Sequence, residues 1–180
     1  MNITTAQGKS NVKHMELLNP INGLTRLRFH YKVEGESCTF DQIDFDHIPT
    51  LDEVKAWYIS NLILPFDNSP EVNRCYIRSG EILLPYWMNT GLRDTMKRAV
   101  ADWKNAGNQV YILDIREYNA SFPIDSDKLI SYIEQLEVYA IQCYNQTSKH
   151  IIEVNKLDNI DAVLSYDYKS GYPEKLTFAL

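Results

Sequence analysis

From Asp125 to Leu157 the chain runs without a glycine or proline, and its apolar residues recur with a helical period. At ~1.5 Å of rise per residue, a helix through this run is on the order of 45 Å long, more than a small domain needs to close a core. Asp125 or Ser126 supplies its cap. One stripe reads Leu129, Tyr132, Leu136, Tyr139, Cys143, His150, Val154 and Leu157, and a second, displaced stripe reads Ile133, Ala140, Tyr144 and Ile151. Together they are wider than one packing surface requires. Either the chain's own hairpins cover both stripes, or part of the helix faces another chain, as helices past ~25 residues do in coiled coils and helical repeats. The second reading predicts an oligomer interface built from Ile133, Ala140, Tyr144 and Ile151 with Leu136 and Tyr139.

The segments before this helix alternate between short strands and helices. Thr25, Leu27, Phe29, Tyr31 and Val33 alternate with Leu24, Arg26, Arg28 and His30, the period-2 pattern of a half-buried strand. Cys38 to Phe45 reads as its hairpin partner across a turn at Glu34 to Ser37. Thr50-Leu51-Asp52-Glu53 has the residues of a capping box, and Leu51, Val54, Tyr58 and Leu62 share the face of a helix over about 51–63, where Pro65 stops it. Arg74 to Arg78 and Glu81 to Trp87 flank Ser79-Gly80 as a second hairpin. A helix from Asn89 or Thr90 to about Ala106 comes next, ended by Gly107. Val110 to Leu113 and Ala120 to Ile124 read as a third hairpin, and Asp158-Asn159 opens a last short helix. The class is therefore α+β: short antiparallel hairpins packed with helices, dominated by one long C-terminal helix over about 126–157.

Residues 1–19 are polar and without a sustained period, so they read as a flexible or partner-ordered arm carrying Thr4, Thr5, Lys9, Val12, Met15, Leu17 and Leu18 as candidate attachment residues. Residues 20–48 form the first hairpin, a possible attachment element, and residues 49–180 the α+β domain. At the far end Tyr166, Tyr168, Tyr172 and Phe178 lie in an extended tail, and so much aromatic surface has to dock, on the parent domain or on a neighbour.

Chemistry is sparse. The net charge of −6, with lysines and arginines scattered, argues against a nucleic-acid partner. Three cysteines, Cys38, Cys75 and Cys143, stand too far apart for paired thiolates and read as buried thiols. No window approaches the ~20 apolar residues of a membrane span, and the first ten residues lack the apolar core of a secretory signal, so the chain is expected to stay where it is made. Gly8-Lys9-Ser10 lacks the rest of a phosphate-binding loop. Asp44, Asp46 and His47 are the nearest approach to a metal or acid/base cluster, and a solvated strand end explains them equally well. No catalytic residue, metal or cofactor is expected. A small metal-dependent enzyme built on that cluster is the disfavoured alternative.

The run Leu136-Glu137-Val138-Tyr139-Ala140-Ile141-Gln142-Cys143-Tyr144-Asn145-Gln146-Thr147, then His150, Leu157, Tyr166-Asp167-Tyr168 and Gly171-Tyr172-Pro173-Glu174-Lys175-Leu176-Thr177-Phe178, resembles the ending of small virion-associated proteins from phages of gut Bacteroides-type bacteria, the crAss-like group included. Pro49 to Lys55 and the pattern around Trp87 to Arg93 are similar to the same proteins. The resemblance spans about residues 49–178. It implies a virion structural protein, made in the host cytoplasm and carried in the particle as a head-fibre or capsid-decoration component. Its implied partners are other virion proteins, capsid or fibre, and further copies of itself in a dimer or trimer, with no nucleic acid or membrane. A tail-fibre-associated protein or a non-virion assembly chaperone are the alternatives.

Overall fold

The computed structural model describes residues 2–180. The fold is α+β, and the chain divides into two compact units. The first holds the residues up to Pro65 together with Thr147–Ser170, and the second holds Phe66–Gln146 and Gly171–Leu180. This replaces the division into arm, hairpin and domain at residues 19 and 48, because each unit is assembled from two separated stretches of chain. Met1, the first residue of the expected arm, lies outside the described residues.

The first unit is built on a four-stranded antiparallel sheet with β1 (Thr4–Lys9), β2 (Met15–Asn19), β3 (Leu24–Glu34) and β4 (Ser37–Phe45) in the order β1-β4-β3-β2. The expected hairpin is the central pair, β3 against β4, with Leu27 opposite Ile43. The expected arm is corrected: its residues pair as the two outer strands, Ala6 opposite Phe40 and Met15 opposite Leu27. One sheet face buries Leu27, Phe29, Ile43 and Phe45.

Over that core lies α1 (Leu51–Tyr58), contributing buried Val54, Trp57 and Tyr58. Its capping box is formed as expected: the Thr50 hydroxyl accepts from the Glu53 N–H, and the Glu53 carboxylate accepts from the Thr50 N–H at 2.7 Å. Pro65 does not stop the helix where expected. The backbone widens over Ile59–Ile63 into a π turn in which Leu64 N–H reaches Ile59 O, and a further turn, α2 (Leu64–Asp67), continues through the proline. Widening is the physical response to a ring that has no N–H and crowds the carbonyl four residues back.

The period-2 pattern of β3 breaks at a bulge. Between Phe29 and Lys32 two residues, His30 and Tyr31, stand against one on β4, and His30 takes a left-handed conformation at φ 55. Glycine is the usual occupant of such a position, and a side chain there costs on the order of 1 kcal/mol. The bulge shifts the register of the last residues of β3, so Val33 points out at 60% exposure rather than joining the buried face.

The second unit carries a three-stranded sheet, β6-β5-β9, in which β5 (Cys75–Ser79) pairs antiparallel with β6 (Ile82–Tyr86) and parallel with β9 (Thr177–Ala179). The tail thus docks on its own chain: Phe178 sits opposite Ile77, is buried, and stacks on Tyr132 at 4.5 Å, while Tyr172 meets Phe66 edge-on. Between these strands run α3 (Thr90–Asn105), capped by Asn89, and the hairpin of β7 (Val110–Ile115) and β8 (Ala120–Asp125), turned by Asn119 at φ 47. Val72, Cys75, Ile77, Val100, Leu113, Leu129, Ile133 and Leu136 lie within one buried cluster.

The long helix is unbroken: α4 runs from Ser126 to Lys156 and belongs to the second unit through Gln146 and to the first from Thr147. The short α5 (Ile160–Leu164), capped by Asn159, completes the first unit and buries Val163 and Leu164.

Candidate assembly surfaces

On α4 the buried residues are Ser126, Leu129, Ile133, Leu136, Tyr139, Cys143, Thr147, His150 and Val154. Their spacing of three and four makes one continuous stripe rather than two. The expected interface set therefore divides. Ile133, Leu136 and Tyr139 are corrected: they are 0%, 0% and 3% exposed inside their own unit, and Tyr139 donates its hydroxyl to Val72 O at 2.9 Å. Ala140 and Ile151 are partly covered, and only Tyr144, at 68% exposure, stands in the open. The two stripes are not separate surfaces, since Ile133 lies near enough to Leu136 around the helix to join the core.

Two apolar residues outside both stripes are exposed beside Tyr144. Val138 is 56% and Ile141 60% exposed, and all three lie in the second unit's part of α4. At 100° per residue they span about a third of the helix circumference. Glu134 and Glu137, near the same face, engage Lys97, at 3.0 and 3.9 Å. The helical face that Val138 and Ile141 share with Tyr144 is the signal in the sequence that marks them.

The attachment residues of the expected arm fall on the outer strands of the first unit's sheet. Thr4, Thr5 and Lys9 are on β1; Met15, Leu17 and Leu18 are on β2; Val12 lies in the connection. Met15, Leu17 and Leu18 are 39%, 45% and 37% exposed. Each strand pairs on one side only in the order β1-β4-β3-β2, so its other side offers backbone N–H and C=O groups to a further strand. Thr5 is held locally: its hydroxyl donates to Asp41 at 2.6 Å, and His30 contacts the other oxygen of the same carboxylate at 3.0 Å. Burial alone would raise the Asp41 carboxyl, yet the hydrogen bonds from Thr5 and His30 outweigh it and hold the group below the ordinary carboxylate range.

Asp44, Asp46 and His47 do not converge. Asp44 takes a bidentate pair from Arg26, with both bonds at 2.7 Å, and that hydrogen-bonded guanidinium lowers its carboxyl. Asp46 bonds His47 at 2.7 Å, and His47 reaches Glu53 on its other side at 3.3 Å. Among the described residues no group of three or more His, Cys, Asp or Glu is placed to hold a metal ion. The three cysteines are buried, as expected, and burial pushes the Cys143 thiol up to about 11. Among the described residues no helix is long and apolar enough to cross a membrane.

Comparison with protein-family models, with curated proteins and with solved structures finds no match.

Proposed function

We propose that this chain is an assembly part that acts by binding protein, self-associating through the outer face of α4 and attaching to a larger particle through the edge of the β2 strand. The observation that carries this reading is the exposure of Val138, Ile141 and Tyr144 together on one stretch of a regular helix. Burying a large apolar side chain is worth roughly 1.5–3 kcal/mol, so three of them on a rigid element are a strong inducement to pair. The open edge and exposed apolar residues of β2 support attachment by strand addition, which uses backbone hydrogen bonds and needs no catalytic group. The resemblance of residues 49–178 to small virion proteins of Bacteroides-type phages supports a virion as that particle, with the chain as a head-fibre or capsid-decoration component.

Light scattering behind size exclusion tests the self-association. The wild-type chain is expected to have a dimer or trimer mass, and Tyr144→Glu or Ile141→Glu is expected to shift it to monomer while leaving the circular dichroism unchanged. A wild-type monomer at every concentration overturns the self-association, and mass spectrometry of purified particles lacking the chain overturns the virion reading.

A further inference from the structure

The first unit contains a surface cavity of about 510 Å³ between the β3 bulge and the segment after α5. Its volume lies within the range of small-molecule sites. His30 and Tyr31, consecutive in the chain, both line it. In a regular strand adjacent side chains point to opposite faces, so a bulge is the device that can bring both to one wall. It does so with a histidine in the left-handed conformation at φ 55, where glycine would sit without strain. Residues held in such strained conformations cluster at functional sites.

Several polar groups on the wall offer acceptors. His14 Nδ1 lies 3.0 Å from the carbonyl oxygen of Arg28, which only accepts, so Nδ1 carries a proton, and in the neutral ring Nε2 presents a lone pair. That Nε2 faces Ser165 Oγ at 3.2 Å, while the Ser165 hydroxyl has a shorter bond to make, donating to Asp161 O at 2.7 Å. The Asp167 carboxylate, one oxygen of which accepts the Lys169 backbone N–H at 3.0 Å, adds further acceptor capacity, and Lys169 lines the same cavity. Beside them the Tyr31 ring packs edge-on against His14 at 4.7 Å, flanked by Val12 and Val33.

An occupant suited to this wall brings several hydrogen-bond donors, no net charge and an apolar face to lay on an aromatic ring. A metal ion would want the same lone pairs, but no third ligating side chain gathers there among the described residues. The geometry points to a binding site for a neutral sugar ring, its hydroxyls donating to His14, Ser165 and Asp167 and its C–H face against Tyr31.

Saturation-transfer NMR on the full chain, with the methyl glycosides of glucose, galactose and N-acetylglucosamine each at ~10 mM, tests the site, since that concentration populates even a millimolar complex. At least one glycoside is expected to be saturated. Tyr31→Ala and Ser165→Ala, both at solvent-reachable positions and checked for folding by circular dichroism, are each expected to weaken it about tenfold, the equivalent of one lost contact. Absence of transfer to all three glycosides overturns the proposal, as does binding that both variants retain at full strength.

Discussion

Tyr139 shows how a single side chain can be read correctly for burial and wrongly for role. Its place on the apolar stripe of the long helix marks it as apolar-facing, but a phenol needs a hydrogen-bond partner when buried, and a protein interface and a protein core can both provide one. Here the partner is Val72 O, and burial raises the hydroxyl well above the ordinary tyrosine value. Tyr139→Phe removes the donor without changing the ring, so Val72 O loses a buried partner. The expected cost is about 1–2 kcal/mol, read as a lower urea midpoint with an unchanged slope. His30 is the converse case. Alternation puts it on the polar face of a strand, and nothing in a period-2 pattern marks the inserted residue that turns it, because a bulge that accepts a histidine leaves no glycine to announce itself.

At the scale of elements, the pieces legible in the sequence are those whose burial is one-sided. The β3–β4 pair, the hairpins around Gly80 and Asn119 and the capped helices α1, α3 and α5 each combine a periodic face with a local stop or cap. The Thr50 box is the sharpest of these signals, and Thr50→Ala is expected to cost ~1 kcal/mol in chemical denaturation because the Glu53 N–H loses its acceptor. The strands β1, β2 and β9 are not legible as strands. Residues of β1 and β2 are exposed or half-exposed throughout, so no face imposes an alternation, and their pairing is decided by the strands they meet. The β9 strand is three residues long, and Phe178 alone carries its burial. The exposed apolar face of α4 is half legible: the excess of apolar surface is evident from composition and period, but which residues remain outside depends on the width of the core beneath. That width is a tertiary property.

For the molecule as a whole, stability against pH turns on His150, one of four histidines and the one buried at 3% exposure. Its two nitrogens have complementary neighbours: Nε2 faces the carbonyl oxygen of Ser170 at 3.0 Å and donates to it, and Nδ1 accepts from the Tyr166 hydroxyl at 2.8 Å. A second proton on Nδ1 would turn that nitrogen from acceptor to donor toward Tyr166 and place a charge in the core. Burial accordingly lowers the imidazole below its ordinary 6.5, against the opposing pull of the Ser170 carbonyl and Asp167. The unfolded chain then binds this proton at about 6.5 while the folded chain binds it only at lower pH. In that interval the unfolded state holds more protons, so stability rises with pH and is lost as pH falls through the window. His47 acts in the opposite sense. Its hydrogen bond to Asp46 raises it, so its contribution is present at low pH and fades as pH rises. Comparing the wild type with His150→Gln cancels the His47 contribution. The wild-type urea midpoint is expected to drop between pH ~7.5 and ~5 more steeply than that of the variant. Parallel curves would mean that His150 is protonated as readily in the folded chain as in the unfolded one, and that acid sensitivity in this range comes from elsewhere in the molecule.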